Sequence, residues 1–293
     1  MANLRDIRRR INSVQSTSQV TRTMEMVSTA KIRRSQDRIE HARPYALALS
    51  SMLGEVSRAS KKINHPLLAV REDQKVVVCI CIASDRGQAG AFNANIIHLV
   101  EEYKRQKEEQ GVGVQLISCG RKLNAYFRYR GIEPDLALEG FSGNPNYAEA
   151  KLIADRVIRQ YSEAQVDEVV TIYNRFVNVA DQRPEMHVLL PASSEEITSA
   201  EDVKGRDLSY IFEPSAKGVL QSLLPTYVEA LIFRALLESA ASEHGARRSA
   251  MKAATDNAME MIATLTRSYN RARQAAITTE ISEIVGGAAA LEG

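Results

Sequence analysis

Apolar residues recur with the period of an α-helix at both ends of the chain. Near the N-terminus, positions three and four residues apart form a stripe typical of one helix face: Leu4, Ile7, Ile11 and Val14. Helix-breaking residues are nearly absent around it, since residues 1–53 contain no glycine and one proline, Pro44. We predict a helix over residues 3–58 that is kinked at Pro44, because proline lacks the N–H that a helix interior requires.

The second helical pattern fills the C-terminal part of the chain. It begins after Pro214, with Ser215 as its predicted N-cap. Residues 226–285 contain no proline and a single glycine, Gly245. We predict a helix over residues 216–285, beyond which a pair of glycines loosens the last turns. Its last part carries apolar and small residues: Ile277, Ile281, Ile284, Val285, Ala288 and Leu291.

The lengths of these helices predict how they pack. At the rise of an α-helix they extend about 84 Å and about 105 Å, whereas a compact protein of this length has a diameter of about 50 Å. We therefore expect them to project and to pair as an antiparallel coiled coil, with the tip of the longer C-terminal helix standing alone. The facing positions are small or polar, which predicts a slender and modestly stable pair. They include Ser18, Thr21, Ser28, Ala254 and Ala258.

Between the helices, strand-sized and helix-sized patterns alternate, which is typical of an α/β domain. Strands are predicted at 75–83, 113–120, 167–176 and 185–191, helices at 92–109, 121–130 and 147–164, and a polar loop at 193–206. The last two strands are expected to form a hairpin. Cys79 and Cys81 would share one strand face, and we interpret them and Cys119 as buried thiols in a reducing compartment.

The charge is concentrated at the N-terminus. The whole chain carries a net charge of +2, but residues 1–43 hold nine arginines and one lysine against four carboxylates. This surface suits an acidic protein partner or a solvated helix face, and the lack of aromatic residues in it argues against nucleic acid. No apolar run approaches the roughly 18 residues of a membrane span. No signal peptide is recognised either, so any membrane association is expected to be peripheral.

Residues 84–93 follow a strand and precede a helix, where α/β sheets bind phosphates. Their sequence, SDRGQAGAFN, matches neither dinucleotide nor P-loop patterns. We therefore interpret this segment as a structural turn of unknown role, with a nucleotide-binding enzyme as the alternative; its residues of interest are Asp85, Arg86, Gly87 and Gly90. The histidines lack metal-ligand spacing, and the adjacent Glu243 and His244 do not face each other on a helix. We predict no catalytic site, metal or cofactor.

Four segments resemble the gamma subunit of F-type ATP synthase, and together they span nearly the whole chain. They are residues 4–31, 84–93, 241–258 and 269–291. The last is the most specific, because its Ile-Thr, glutamate and Gly-Ala positions follow the family spacing. The resemblance implies an α/β fold class, with a long antiparallel coiled coil of the terminal helices and a central Rossmann-like domain. The implied domains are 1–58, 68–209 and 210–293, the first and last of which pair.

The function implied by this resemblance is that of a central rotor shaft. Such a subunit is non-catalytic and transmits torque between a membrane c-ring and a hexamer of three alpha and three beta subunits, coupling proton flow to ATP synthesis. The epsilon subunit is a further implied partner, whereas nucleic acid and small-molecule substrates are not. The absence of a transit peptide and of a long cysteine-bearing insertion near residue 200 implies the cytoplasmic face of a bacterial plasma membrane.

The resemblance also implies partner contacts for individual residues. Contacts to alpha and beta are implied for Met24, Lys31, Arg33, Arg34, Arg273, Gln274, Thr278, Glu280 and Glu283. An apolar sleeve would hold Ile281, Ile284, Val285, Ala288 and Leu291. Docking to epsilon and the c-ring is implied for Tyr210, Ile211, Phe212 and Glu213. Two features depart from the family: Gln88-Ala89-Gly90 replaces Leu-Cys-Gly, and Arg267 occupies a usually apolar position.

Overall fold

The computed structural model of the protein describes residues 4–59, 65–192 and 215–292. The chain divides into two compact units, one of residues 1–27 with 248–293 and one of residues 28–247. The first and last helices contribute to both units. The domain boundaries implied by the resemblance stay a prediction, and position 210, where the last of those domains begins, lies outside the described residues.

The two long terminal helices are confirmed. Helix α1 spans Leu4–Ala59 and continues through Pro44, and the last helix, α5, spans Ala216–Glu292. The Ser215 hydroxyl accepts a hydrogen bond from the Gly218 N–H at 3.1 Å, as expected of an N-cap. Helix α5 continues past its predicted end at residue 285, because a glycine costs only about 1 kcal/mol in a helix and the alanines that follow favour it.

The larger unit contains a five-stranded sheet in the order β3-β2-β1-β4-β5. The strands are β1 (Val76–Ile82), β2 (Gly113–Cys119), β3 (Leu136–Leu138), β4 (Glu168–Phe176) and β5 (Gln182–Leu190). The first four are parallel, and β5 pairs antiparallel with β4, so the predicted hairpin is confirmed. The helices between the strands are α2 (Phe92–Glu109), α3 (Arg121–Tyr129) and α4 (Tyr147–Ser162). A short 3₁₀ helix, Pro66–Leu68, precedes the sheet.

Each face of the sheet packs against a separate apolar core. On one face, Cys79 and Cys81 pack with Ile96 of α2 and Leu123 of α3. Their sulfur atoms lie 3.4 Å apart, which confirms that both side chains point to the same face. All three cysteines are buried and free.

The opposite face of the sheet packs on α4 and on both long helices. Ile80 belongs to the same buried cluster as Ile153 of α4, Leu53 of α1 and Val228 of α5. Within the larger unit, this cluster joins the late part of α1 to the early part of α5, while Lys31, earlier on α1, lies near a later part of α5. The two helices therefore run antiparallel in this unit, as predicted.

The smaller unit is a helix pair with small and polar contacts. The hydroxyl oxygens of Thr21 and Thr255 lie 2.7 Å apart across the pair. Both residues are buried, together with Met251 and Ala258 of α5.

A single described helix, within Gly218–Ala288, contains a window long and apolar enough for a membrane span, and 44% of that window is buried inside the protein. Since the core helix of a soluble protein passes the same test, this window is weak support for a membrane span.

Candidate functional site

The end of helix α5 presents an apolar stripe to solvent. Residues 273–288 are all exposed, and the large apolar side chains among them are between 47% and 66% exposed: Ile277, Ile281, Ile284 and Val285. These positions and Ala288 recur at three- and four-residue spacing, so they share one face of the helix. A continuous exposed apolar surface of this kind is typical of a site that contacts another protein or a membrane.

Polar side chains border the apolar stripe on both edges. By helical periodicity, Arg273 and Glu280 follow one edge and Thr278 follows the other, whereas Gln274 lies on the face of the stripe and Glu283 lies further around the helix. The Thr278 hydroxyl donates to the backbone oxygen of Gln274 at 2.9 Å. Its proton is therefore used within the helix, and its oxygen remains an acceptor for a partner. The structure thus places these five of the residues assigned from the resemblance on a single helix end.

Helix α1 presents the predicted basic surface. Lys31, Arg33 and Arg34 are exposed, whereas the neighbouring Ile32 is buried. Met24, the remaining predicted contact on α1, is half-buried. The exposed cations carry charge that a partner surface of opposite sign would attract.

The turn after β1 is held by one carboxylate. Asp85 accepts hydrogen bonds at 3.0 Å from the backbone N–H groups of Arg121, Gly140 and Ser142. Burial alone would raise the pKa of Asp85, but these bonds stabilise the charged form and hold the pKa below its usual range. Because Arg121 is the first residue of α3, the carboxylate also lies at the positive end of that helix.

Helix α5 contacts this turn through an ion pair that was not predicted from the sequence. Arg247 Nη2 lies 2.6 Å from Glu243 Oε1 and also donates to the backbone oxygen of Gly87. The Ser142 hydroxyl donates to the other oxygen of Glu243 at 3.0 Å. Glu243 and Arg247 are both buried. Their four-residue spacing on a helix was the signal that could have revealed this pair.

His244 belongs to the same cluster and is held neutral. Its Nε2 lies 3.1 Å from the Gly143 carbonyl oxygen, which can only accept, so Nε2 carries the proton. Nδ1 then accepts from Arg247 Nη1 at 3.4 Å. Burial has the largest effect and lowers the pKa of His244. Glu243 and the Gly143 carbonyl raise it, and the charges of Arg247 and Lys31 lower it by smaller amounts.

This cluster attaches the loops at the carboxyl edge of the sheet to α5. Helix α1 is tied to the same region, because the Arg38 guanidinium donates to the Asn144 side chain at 2.5 Å and to the Pro145 carbonyl. The residues of the predicted turn therefore have a structural role in the larger unit, with Asp85 inside the turn and Gly87 accepting from α5.

The cluster contains a serine, a histidine and a glutamate but lacks the connectivity of a hydrolase triad. The Ser142 hydroxyl bonds Glu243 rather than His244, whose two ring nitrogens already have other partners. Within the described ranges, no group of three or more histidine, cysteine or acidic residues could hold a metal ion. The predicted docking residues Tyr210, Ile211, Phe212 and Glu213 and the side chain of Leu291 lie outside the part of the chain that is described.

Comparison with known sequences gives matches over the full length. Residues 3–291 match the family described as ATP synthase. The ATP synthase gamma chain of Pelotomaculum thermopropionicum is 49% identical over 292 residues, covering 100% of both chains. The gamma chain of Desulforamulus reducens is 47% identical over 292 residues, also with 100% coverage of both.

Solved structures give the same relationship at lower identity. A chain of the central stalk and c-ring of the Tetrahymena thermophila mitochondrial ATP synthase is 26% identical with a TM-score of 0.59; the match covers 80% of this chain and 99% of that one. A chain of the Euglena gracilis mitochondrial ATP synthase is 19% identical with a TM-score of 0.65, covering 98% and 94%. The second likeness shows a shared fold alone.

Proposed function

Because the chain belongs to the ATP synthase gamma-chain family, we propose that it is the torque-transmitting shaft of the complex and has no catalytic activity of its own. The observation that carries this proposal is the exposed apolar stripe at the end of α5. A stripe with polar borders suits an apolar socket that holds the helix end by non-covalent contacts alone. Proton flow would turn the shaft, and ATP would form in other subunits.

The proposed partners follow from the surfaces on each helix. The stripe and its polar borders, from Arg273 to Ala288, would lie within the hexamer of three alpha and three beta subunits. The exposed Lys31, Arg33 and Arg34 would meet an acidic surface of the same hexamer. Charge attraction does not require one fixed alignment of the two surfaces. Residues 210–213 would dock epsilon and the c-ring. The complex would lie at the cytoplasmic face of a bacterial plasma membrane.

Torque requires that the α/β domain be firmly attached to the helices. The buried Glu243–Arg247 pair supplies such an attachment to α5, and Arg38 supplies another from α1. A force on the sheet domain would pass through these bonds, and through the apolar core around Leu53 and Val228, into the helix backbones. Because buried pairs are poorly screened by water, the attachment would keep its strength while the surface contacts change.

The geometry at the turn disfavours the alternative of a nucleotide-binding enzyme. A phosphate site in this turn would need free backbone N–H groups in the turn itself or at the start of α2. The Ser84 N–H instead donates to the Asn93 side chain, the Asp85 N–H donates to the Ser142 hydroxyl, and the Asp85 carboxylate lies in the same turn. A second anion would be repelled by this carboxylate. The turn is therefore better suited to holding loops together than to holding phosphate.

The test is ATP hydrolysis by matched alpha and beta subunits, measured with and without this chain and for the chain alone. We expect the chain alone to be inactive, to assemble at one copy per hexamer and to raise the turnover of alpha and beta strongly. Hydrolysis by the chain alone would contradict the absence of catalysis. An unchanged turnover of alpha and beta, despite stoichiometric assembly, would contradict the shaft.

A further inference from the structure

A cavity of about 200 Å³ lies between the β4–β5 hairpin and α5, within the larger unit. Thr171, Tyr173 and Arg175 reach it from alternate positions of β4, and Glu185 and His187 reach it from β5. Arg234 closes the side formed by α5. None of these residues belongs to the cluster around Glu243 or to the proposed partner surfaces, so the proposed function leaves the cavity unexplained.

The base of the cavity holds a buried hydroxyl that lacks a partner. Thr171 is only 3% exposed, and its Oγ1 has no hydrogen-bond partner among the described residues. Leaving such a group unpaired costs about 1–3 kcal/mol. Beside it, burial raises the pKa of Tyr173, so that hydroxyl keeps its proton and can donate.

Two arginines at the cavity are held in place by carboxylates. Arg234 Nε donates to Glu238 Oε1 at 2.7 Å, and Arg175 Nη1 lies 3.5 Å from Glu185 Oε2. Each guanidinium has five N–H groups, and each of these contacts uses one of them. About half of each arginine side chain is exposed. The arginines are therefore fixed in orientation and retain donors for a further acceptor.

The cavity is richer in donors than in free acceptors. Its donors are two guanidinium groups and the hydroxyls of Thr171 and Tyr173, whereas the Glu185 and Glu238 carboxylates already face Arg175 and Arg234. Such a lining favours an acceptor-rich ligand, and arginine forks match oxyanions in particular. The volume lies below the range of about 300–1,000 Å³ for drug-sized ligands, which excludes a nucleotide.

We propose that this cavity binds a small oxyanion of the size of inorganic phosphate, held by Arg175, Arg234 and the Thr171 hydroxyl. The bound ion joins the β4–β5 hairpin to α5, because its ligands come from both elements. Binding therefore stabilises the packing of the hairpin on the helix, and the site acts independently of the proposed contacts at the tip of α5.

The test is equilibrium dialysis of radiolabelled inorganic phosphate against the full chain, with ionic strength held constant by sodium chloride. We expect one saturable site with a dissociation constant of about 1 mM or lower. Thr171→Val keeps the shape of the side chain and removes a hydroxyl that has no protein partner. It should weaken binding by about tenfold, as expected for a lost hydrogen bond to a charged group, without lowering the melting temperature of the phosphate-free chain.

Two further variants separate a specific site from general charge. Arg175→Gln should weaken binding by about tenfold or more, while Arg267→Gln, which removes an exposed arginine elsewhere on α5, should leave it unchanged. Sulfate should compete with phosphate because it has the same shape and carries charge. The proposal is overturned if no saturable binding occurs, if Thr171→Val binds normally, if Arg267→Gln is as weak as Arg175→Gln, or if sulfate fails to compete.

Discussion

At the residue scale, the cluster on α5 shows how burial and hydrogen bonding fix charge states. Glu243 and Arg247 form an ion pair at 2.6 Å. Because the charge of Glu243 is already paired with Arg247, His244 stays neutral beside them. Protonating His244 would place a second cation beside Arg247 and would remove the lone pair that Nδ1 presents to it. The cluster therefore excludes a proton that the unfolded chain would accept.

This exclusion predicts how stability depends on pH. The pKa of His244 in the folded chain lies below its ordinary value of 6.5. At a pH above 6.5 neither state binds this proton, whereas between 6.5 and the lower pKa of the folded chain only the unfolded state binds it. Stability therefore falls as the pH drops below about 6.5. His244→Gln should reduce this slope, by at most about 1.4 kcal/mol per pH unit for one proton. Urea unfolding between pH 7.5 and pH 5 measures it, at pH values chosen around the ordinary histidine pKa.

A matched histidine separates this effect from a general loss of charge. His98 is exposed on α2, so His98→Gln should leave the dependence on pH as it is. His65 adds a contribution of the same sign, since burial also lowers its pKa. Equal slopes for the parent chain and His244→Gln would show that the cluster does not set this dependence.

At the element scale, regular periodicity made most of the fold predictable. Helix α2 has the predicted bounds, Phe92–Glu109, because its apolar positions repeat over several turns before Gly111. Strand β3, Leu136–Leu138, was missed because three residues are too few to show a period, and its place depends on pairing with β2. The end of α5 was misplaced because glycine is a weak breaker when strong helix formers surround it.

The functional surfaces were predictable only where they lie along one element. The stripe on α5 follows from helical spacing within a single segment. The cluster around Asp85 does not, because Ser142 and Glu243 are separated by 101 residues and meet only after the sheet has formed. Along the sequence Glu243 stands next to His244, whereas its ion-pair partner in the fold is Arg247, one helical turn further along.

The contact between α1 and α5 in the smaller unit leads to a prediction about two threonines. Each hydroxyl has one proton, and each also lies near a backbone oxygen of its own helix: Thr21 near that of Ser18 and Thr255 near that of Met251. One threonine therefore donates across the 2.7 Å contact, and the other donates within its helix. Either single change to valine leaves a buried hydroxyl with one partner fewer.

We expect Thr21→Val and Thr255→Val each to lower the free energy of unfolding of this helix pair by about 1 kcal/mol. The double variant should be close to the parent, because it replaces both polar groups by apolar ones of similar shape. Helix content measured by circular dichroism during thermal unfolding, compared across all four chains, gives the coupling between the two sites. Additive losses in the double variant would mean that the hydroxyls do not interact. Thr17→Val is the control, since Thr17 is exposed on α1.

At the scale of the whole molecule, stability and function use different parts of the chain. The larger unit contains both apolar cores, whereas residues 273–288 are exposed along their whole length. Residues without buried contacts contribute little to folding, so the end of α5 is free to be shaped by its partners. This separation means that changes at the tip should alter assembly without altering the fold of the sheet domain.

The last prediction tests this separation. A full-length variant with Ile277, Ile281 and Ile284 all changed to serine should keep the stability of the sheet domain within about 0.5 kcal/mol, because all three side chains are exposed. Its affinity for the alpha–beta hexamer should fall by at least about 3 kcal/mol, or about a hundredfold, since three apolar contacts are lost. Stimulation of ATP hydrolysis should fall with it. Removal of residues 269–293 should weaken stimulation further.

The matched control changes the same three residues to valine, which keeps the stripe apolar and tests whether hydrophobic contact, rather than the exact side chain, sustains binding. This variant should lose less affinity and stimulation than the serine variant, because each change to valine removes one methylene group, worth at most about 0.8 kcal/mol, whereas a whole buried isoleucine side chain is worth about 1.5–3 kcal/mol. If the serine variant stimulates hydrolysis as well as the parent does, the apolar stripe does not hold the shaft in the hexamer. The polar side chains from Arg273 to Glu283 would then have to supply the contact by charge and hydrogen bonding alone.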